Sequence, residues 1–406
     1  MFGSAALGAV RPFLAAATLP LADFGYYTSI IGLVGFGSML VSFGTVEATT
    51  KLYPRLWVGG HRVAIWQDAI ATFMKIGRWM FLPALLGVVL SFFGVIPIGV
   101  APIFLIGLFV WLSVMLNLSA AIIRATNSLR LLQVFGFLRS SVPLLVVGVA
   151  LVWSDWFVAI AAETLAAAIT GLVGGFLIFR QLKSEVITTR NGLEIRSDAD
   201  GRTVYFANLL SSSISLVDRA IVTAVLGAVQ GGAYGMATLV VQAGSLLIGI
   251  ISQKVGPEVI QHVYRGSSLK SALVYFKFPV AALALAGCLL LATYVAGVTA
   301  LPVFRVFLVN HGIGHFTVFL AAVLVVLQIY MLLQFFLLAV DDEKAVLLSG
   351  IAGVLIFASG VALAWWLVWP MEAFLIAAIA ARLAQILVSL GYLKQRIGVS
   401  SKDNAP

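Results

Sequence analysis

Apolar stretches of about 20 residues recur along the whole chain, and no other feature limits its fold as strongly. Each stretch is long enough to cross about 30 Å of hydrocarbon as a helix. The stretches are apolar on all sides, whereas the strands of a membrane barrel alternate apolar with polar residues. Hydrophobic residues make up 62% of the chain and charged residues 10%, which is more apolar surface than a soluble domain can bury. The sequence therefore predicts an all-α, polytopic membrane protein.

About twelve transmembrane helices fit the sequence. Short turns with Pro or Gly separate them on one side of the membrane, as at Leu19-Pro20 and Trp369-Pro370, and longer charged loops separate them on the other. The predicted spans are 3–19, 24–49, 73–95, 98–123, 131–153, 156–180, 203–227, 232–253, 270–296, 315–340, 345–369 and 372–394.

Lysine and arginine residues determine the predicted orientation, because the cytoplasmic loops of membrane proteins carry an excess of them. They fall in the loops 50–72, 124–130, 181–202 and 254–270 and in the C-terminal tail, and the opposite side has only Arg305. We therefore expect a multi-pass protein of the inner (plasma) membrane, with both termini cytoplasmic and no cleavable signal peptide. The net charge of +9 then reflects this orientation and does not indicate nucleic-acid binding.

The two halves of the chain resemble each other. With an offset of 208 residues, Arg11 falls on Arg219 and Tyr26 falls on Tyr234. Six spans separate the copies, so both halves have the same orientation and the repeat is parallel. We expect two six-helix lobes around a central cleft. The predicted parts are an N-terminal lobe 1–180, a cytoplasmic linker 181–202, a C-terminal lobe 203–394 and a cytoplasmic tail 395–406.

Short motifs in the second half carry a resemblance to a known family. They are a Ser-rich helix entry after Asn208, Asp218-Arg219, the turn Gly232-Ala233-Tyr234, Gln242 and Gly256-Pro257. This stretch resembles the start of the second lobe of the polysaccharide-biosynthesis (O-antigen) flippases, which belong to the multidrug/oligosaccharidyl-lipid/polysaccharide exporter superfamily.

The first half shows the same likeness. Arg11 with Phe24-Gly25-Tyr26 is similar to the opening of the family's first lobe, and Arg124-Ala125-Thr126-Asn127 is similar to its turn between spans 4 and 5. The first helix departs from the pattern, because it has fewer residues before its arginine than span 7 has. Either this helix is short, or the true start lies upstream of Met1.

Ionisable residues deep in a membrane are functional candidates, because each destabilises insertion by about 2.5–3.5 kcal/mol. Arg11, Glu163, Asp218, Arg219 and Arg382 all fall about 10–15 Å below the predicted outer surface. They lie on spans 1, 6, 7 and 12, the first and last helices of each half, which would be neighbours around the cleft. Three arginines against two carboxylates leave this layer positive, and guanidinium groups suit phosphate oxygens.

Span 7 also carries a polar stripe, since Asn208, Ser212, Ser215 and Arg219 recur at three- and four-residue spacing. We expect this stripe to face water or another helix. The candidate substrate-binding residues are therefore Arg11, Arg219, Arg382, Asn208, Ser212 and Ser215, and the candidates for ion coupling or charge pairing are Asp218 and Glu163. A purely structural ion pair of Asp218-Arg219 with Glu163 or Arg382 is an open alternative, as is snorkelling of Arg11.

Other polar residues have simpler explanations. We expect Arg78, Arg139 and Lys277 to snorkel to the inner interface, and Gln242 and Gln328 to hydrogen-bond to neighbouring helices. The single Cys288 excludes an intramolecular disulfide, and the four histidines fall in or beside predicted loops. We therefore expect no metal centre in the membrane and no cofactor.

The resemblance implies a flippase that moves an isoprenoid-diphosphate-linked oligosaccharide across the cytoplasmic membrane by alternating access, in surface polysaccharide biosynthesis. Its partners would be the lipid-linked glycan, membrane lipids, H⁺ or Na⁺ as a coupling ion, and other polysaccharide-assembly proteins. The alternative is a cation-coupled, multidrug-type exporter of the same superfamily, which a positive cleft disfavours. A membrane-embedded polymerase or glycosyltransferase is a weaker alternative, because the largest outer loop offers only Arg305, His311 and His315 and no carboxylate beside them. We expect no enzymatic activity.

Overall fold

Helices form the regular structure of this chain, as lipid requires of a backbone that must satisfy its own hydrogen bonds. The structure is a computed structural model. It describes residues 2–46, 61–92, 99–125, 129–183, 202–242, 277–302, 311–339 and 342–403, together with single positions in the segments between them. No β-strand occurs among these described residues.

Packing divides the chain into two units, Met1–Tyr205 and Phe206–Pro406, and the second begins within the first turn of a helix. The helices of the first unit are α1 (Phe2–Thr18), α2 (Leu21–Ser42), α3 (Arg62–Phe92), α4 (Val100–Ala125), α5 (Leu129–Ala150) and α6 (Trp156–Lys183). The helices that follow are α7 (Arg202–Leu226), α8 (228–242), α9 (Lys277–Ala300), α10 (His315–Leu327), α11 (Tyr330–Ala339), α12 (Glu343–Trp366) and α13 (Glu372–Asp403).

Helix α4 is the centre of the first unit and packs against α2, α3 and α6. Its contact with α3 is close because a side-chain carbon at Gly77 would lie only 2.8 Å from the indole nitrogen of Trp111. That indole stacks on Phe73 at 4.4 Å between ring centroids and donates a hydrogen bond to the Phe73 carbonyl at 3.2 Å. The indole N–H is thereby satisfied in an apolar environment.

The core of the second unit lies where α7, α8, α10, α12 and α13 meet. Buried aromatic side chains fill it, with Tyr234 from α8, Phe357 from α12 and Phe374 from α13. Helices α12 and α13 share the longest interface in this unit. Small residues allow this close approach, since a side-chain carbon at Gly360 would lie 2.7 Å from the Cβ of Ala377.

Two helix boundaries follow directly from local chemistry. Gly227 separates α7 from α8 with a φ of +89°, in the left-handed region that favours glycine. At the start of α12, Oδ1 of Asp342 accepts a hydrogen bond from the backbone nitrogen of Ala345 at 3.2 Å, which caps the helix.

The predicted span 315–340 is not one continuous helix. Turn conformation at Gln328 and Ile329 divides it into α10 and α11. The buried amide of Gln328 supports the break, because its Nε2 donates to the Leu324 carbonyl at 3.2 Å and its Oε1 accepts from Ser245 Oγ at 3.0 Å. The second bond joins this break to a neighbouring segment, as we expected of Gln328.

The prediction of an all-α, polytopic membrane fold is confirmed. Nine helical segments among the described residues are long and apolar enough to cross a membrane. The predicted boundary at 203 lies close to the observed division between Tyr205 and Phe206. Residues 184–201 of the predicted linker, the loop 254–270 and the motif Gly256-Pro257 lie outside the described residues. The lobe and linker boundaries therefore stay predictions.

The interface between α12 and α13 gives a test of packing. We expect Gly360→Ala to lower the free energy of unfolding by about 1–3 kcal/mol, because the added methyl group must displace Ala377. The matched control is Gly391→Ala on α13, where the added carbon meets nothing within 4 Å. Thermal unfolding of the detergent-purified protein measures both. Equal melting temperatures for the two variants would contradict the close contact.

Candidate functional site

Glu163 on α6 is a buried carboxylate with two partners in the first unit. Its side chain is 2% exposed. Oε2 accepts a hydrogen bond from Nη1 of Arg11 on α1 at 2.8 Å, and Oε1 accepts one from the hydroxyl of Tyr27 on α2 at 2.6 Å. One carboxylate therefore joins three helices. Both oxygens have strong donors, which stabilises the negative charge away from water.

Arg11 forms this ion pair without being fully buried. Its side chain is 27% exposed, and its Nε has no hydrogen-bond partner among the described residues. The snorkelling alternative for Arg11 is therefore replaced by an internal ion pair. The guanidinium keeps some capacity to bind another group.

Asp218 on α7 has a similar environment in the second unit. It is 6% exposed. Its Oδ2 accepts a hydrogen bond from the hydroxyl of Tyr234 on α8 at 3.0 Å, and its Oδ1 accepts one from the backbone nitrogen of Arg219 at 2.8 Å. The positive charges of Arg219 and Arg382 also act on this carboxylate. Asp218 is thus an anion held by a tyrosine, a backbone amide and two nearby guanidinium charges.

Arg219 joins α7 to α8. Its side chain is 4% exposed. When the Gln242 amide is oriented with its oxygen towards the guanidinium, that oxygen accepts hydrogen bonds from both Nη atoms at 2.9 and 2.6 Å. Gln242 thus makes the interhelical hydrogen bond that its position predicted.

Arg382 on α13 is the most buried of the three predicted arginines, at 2% exposure. Its Nη1 donates to the Ser211 carbonyl at 3.1 Å and to Gln385 Oε1 at 2.7 Å, and its guanidinium lies 4.1 Å from the ring centroid of Tyr330. The Ser211 hydroxyl in turn accepts from Gln334 Nε2 at 2.8 Å. Arg382 therefore holds α7, α11 and α13 together, and no carboxylate lies within 4 Å of it among the described residues.

The remaining members of the predicted stripe on α7 are more accessible. Asn208 and Ser212 are half-buried and Ser215 is exposed. The Ser215 hydroxyl donates to the carbonyl of Ser212 at 3.2 Å, so its hydrogen bond stays within the helix. These three positions present polar groups without a fixed partner helix.

The structure groups the predicted charges by unit. Arg11 and Glu163 meet in the first, and Asp218, Arg219 and Arg382 lie near one another in the second. Both oxygens of Glu163 accept hydrogen bonds from residues of its own unit.

Sequence reasoning missed the neutral partners of these charges. The repeat singled out Tyr26, but Tyr26 is 44% exposed and the buried partner of Glu163 is Tyr27. The helical face of α2 could have identified it, since Phe24, Tyr27 and Thr28 are buried together at helical spacing. The partners Ser211, Tyr330, Gln334 and Gln385 gave no comparable signal, because nothing in the sequence ties them to Arg382.

The expectation that Arg139 snorkels to the inner interface stays a prediction. Arg139 lies near the middle of α5, about ten residues and so about 15 Å from its start at Leu129. Its Nη2 donates to Oδ1 of Asn117 on α4 at 3.1 Å. Arg139 therefore joins α5 to α4 through a side-chain hydrogen bond that the sequence did not predict.

No protein-family model and no curated protein sequence matches the chain. Solved structures do match its fold. A MATE family multidrug resistance transporter of the MOP superfamily, in an inward-facing conformation, superimposes with a TM-score of 0.72 at 12% identity. That match covers 99% of this chain and 96% of the other. An outward-facing MATE family transporter matches with a TM-score of 0.62 at 14% identity, over 98% of this chain and 96% of that one.

A third similar structure differs in its binding site. It is a MOP superfamily transporter from Pyrococcus furiosus, described as having a binding pocket of reverse polarity that suggests a different function. It matches with a TM-score of 0.53 at 14% identity, over 98% of this chain and 96% of that one. The chain therefore has the fold of the MATE transporters. At these identities the likeness establishes the fold and leaves the substrate open.

The tyrosine–carboxylate bonds can be tested by removing one hydroxyl at a time. We expect Tyr27→Phe and Tyr234→Phe each to lower the free energy of unfolding by about 1.5–3 kcal/mol, because each removes a buried hydrogen bond to a charged group. The control is Tyr26→Phe, which loses only an exposed hydroxyl and should leave stability unchanged. Thermal unfolding in detergent is the measurement. Full stability of Tyr27→Phe would show that this bond does not hold Glu163.

Proposed function

We propose that this chain is a membrane transporter that moves its substrate by alternating access. The main support is the likeness of its fold, over nearly its whole length, to transporters solved in inward-facing and outward-facing conformations. A second support is the presence of buried, paired charges deep in helices of both units. Such groups destabilise a membrane protein unless they are paired, and they commonly mark substrate or ion pathways.

A small-molecule exporter of the multidrug type is the substrate class that the comparisons favour. Two of these structural neighbours, the inward-facing and the outward-facing MATE family transporters, are described as multidrug resistance transporters. That function is a property of those transporters, and we propose it for this chain only because the chain shares their fold. In this proposal the chain would export an organic solute and would use a cation gradient to drive the transport cycle.

A flippase for an isoprenoid-diphosphate-linked oligosaccharide is the second candidate, and a specific observation favours it. Among the described residues, Arg219 and Arg382 both act on the carboxylate Asp218, so these three side chains together carry a positive charge. A positive group attracts phosphate and acidic sugars and repels organic cations. The motif resemblance of Asp218-Arg219 and Gly232-Ala233-Tyr234 points the same way.

Burial separates the proposed roles of the candidate residues. Arg219 and Arg382 have their guanidinium groups engaged and almost no exposed surface, so they would position helices and set the local potential. Arg11, Asn208, Ser212 and Ser215 keep accessible polar surface and would be the ones to touch substrate.

Glu163 and Asp218 are the proposed coupling carboxylates. Protonation of Glu163 would remove the negative charge that holds Arg11 on α1, and protonation of Asp218 would weaken its interactions with Tyr234 and the two guanidinium groups. Each event would loosen contacts between helices, which is how a gradient can be coupled to a conformational change. Membrane lipids surround the protein in either candidate function, and other polysaccharide-assembly proteins would be partners only of a flippase.

One experiment with two arms distinguishes the candidate substrates. The chain would be expressed in a bacterium that lacks its efflux pumps and in one that lacks its polysaccharide flippase. We expect rescue in one arm, either resistance to toxic organic solutes or surface glycan. We expect Arg219→Ala to abolish the rescue, because it removes one of the two charges beside Asp218 and the bonds to Gln242.

The control variant in both arms is Arg305→Ala, which removes an exposed arginine outside the candidate site. All variants are compared at equal amounts in the membrane. Rescue in neither arm by a correctly inserted wild type would contradict both candidate functions. If Arg219→Ala rescued a strain as well as the wild type does, Arg219 would not be part of the functional site.

Cation coupling has its own test in proteoliposomes that contain the substrate identified above. We expect Glu163→Gln or Asp218→Asn to lower gradient-driven transport by about tenfold or more, within the usual range of coupling energies. Exchange of substrate without a gradient should persist. Asp155→Asn serves as the control, since Asp155 is an exposed acid next to the start of α6. Full gradient-driven transport by both site variants would exclude these carboxylates as the coupling groups.

A further inference from the structure

The break between α10 and α11 replaces the regular helical hydrogen bonds by a tighter turn. The backbone nitrogen of Gln328 donates to the Val325 carbonyl at 3.2 Å, and that of Ile329 donates to the Val326 carbonyl at 3.3 Å. Beyond the break, the nitrogen of Met331 donates to the Gln328 carbonyl at 3.1 Å. Each bond spans three residues in place of the four of an α-helix. A 3₁₀ turn within a longer helix often marks a hinge or local strain.

The side chain of Gln328 takes the place of its own backbone amide. In a continuous α-helix the Gln328 nitrogen would donate to the Leu324 carbonyl, four residues before it. Here Nε2 of Gln328 donates to that carbonyl at 3.2 Å, and Oε1 accepts from Ser245 Oγ at 3.0 Å. Gln328 is buried, and a carbonyl without a donor in such a place would be strongly destabilising. Gln328 therefore stabilises the bent arrangement and keeps a hydrogen bond at Leu324.

The local sequence does not require this bend. Residues 324–331 contain neither Pro nor Gly, and each of their side chains is compatible with the interior of a helix. Sharp kinks arise at Pro, at Gly, or where a side chain enters the helical hydrogen bonds, as Gln328 does here. Contacts with other helices therefore hold the bend, and a change in those contacts can remove it.

The two halves of this span have different neighbours. Helix α10 packs against α9 and α13, whereas α11 packs against α12 and α13. Just before the break, α10 lies close to α9, since a side-chain carbon at Gly287 would lie 3.1 Å from Cγ2 of Val326. At the other end of α10, Thr317 donates to Oε1 of Glu372 on α13 at 2.8 Å. Contacts near both of its ends therefore hold α10 independently of α11.

Two polar contacts hold α11 in its bent direction, and we name them together the α11 latch. The ring of Tyr330 lies 4.1 Å from the guanidinium of Arg382 on α13, and Nε2 of Gln334 donates to the Ser211 hydroxyl on α7 at 2.8 Å. The apolar contacts of α11 discriminate less between directions, because lipid tails are as apolar as the side chains that they would replace. Loss of the α11 latch would therefore favour another direction of this helix.

We propose that residues 328–329 form a hinge within the second unit, and that α11 alternates between the bent arrangement and a straight continuation of α10. In the straight arrangement the Gln328 nitrogen bonds to the Leu324 carbonyl, the Gln328 side chain is released and the α11 latch is open. Helix α11 is the half of this span on the predicted cytoplasmic side. The inference rests on the proposed transport function only where it assigns this motion to a transport cycle.

Distances between two spin labels test the hinge in the full-length protein in detergent. One label is attached to the exposed Cys288 on α9 and the other to Ala339→Cys at the end of α11. Double electron–electron resonance then gives the distance populations. We expect Gln328→Leu to raise the ratio of straight to bent populations about tenfold, because it removes both side-chain hydrogen bonds of the bent arrangement.

Gln334→Leu is measured beside Gln328→Leu with the same two labels. It should shift the populations in the same direction, because it removes one contact of the α11 latch. It carries the test alone if Gln328→Leu does not fold. The matched control is Thr317→Val, which removes a side-chain hydrogen bond near the start of α10, roughly 16 Å along the helix from the hinge. This control should keep the wild-type populations.

Wild-type populations in both Gln328→Leu and Gln334→Leu would overturn the proposal. An equal shift in Thr317→Val would overturn it as well, because the shift would then reflect a general loss of packing. These outcomes are separate from the failure of the transport function. If the two variants shift the populations but the wild type rescues neither strain, the hinge stands and the transport function fails. If the wild type rescues a strain but neither variant shifts the populations, the transport function stands without the hinge.

Discussion

The constraint on which this structure depends is the satisfaction of a buried carboxylate inside each unit. In both units a tyrosine from the second helix donates its hydroxyl to that carboxylate, Tyr27 to Glu163 and Tyr234 to Asp218. A buried carboxylate without donors would be strongly destabilising in lipid, whereas one with two donors joins helices that would otherwise meet only through apolar contacts. These bonds join α1 and α2 to α6 in the first unit, and α8 to α7 in the second.

Both units place a buried carboxylate near arginine side chains, but these residues come from different helices in the two units. The last helix, α6, supplies the carboxylate of the first unit and its first helix supplies the arginine. In the second unit the first helix supplies both Asp218 and Arg219, and the last helix supplies Arg382. A carboxylate–arginine pair in one unit therefore corresponds to one carboxylate with two arginines in the other. The helical fold is repeated in the two units, but the pattern of buried charges is not.

The sequence predicted the fold well, because the length and hydrophobicity of a span are properties of the local sequence. The break between α10 and α11 was not predictable, since neither Pro nor Gly marks it and the buried amide of Gln328 supports it through Leu324 and Ser245. The buried charged residues of each unit were identified because an ionisable residue within an apolar run is apparent from the sequence alone. The neutral partners were not, because Tyr27 and Ser211 have no signature apart from the charges they meet in three dimensions. The partner of Arg139 was missed for the same reason, as Asn117 lies on another helix.

The residues that determine the fold of this chain are different from those that would determine its substrate. The fold is set by hundreds of apolar side chains and survives at 12–15% identity, as the structural neighbours demonstrate. The sign of the potential is set by a handful of buried charges, and a few substitutions reverse it. The described charges around Asp218 and beside Arg11 are predominantly positive. In surroundings of low dielectric constant, such charges act strongly on any ion that comes near them. The fold that this chain shares with transporters described by multidrug resistance therefore does not set its substrate by itself, because the substrate depends on such buried charges.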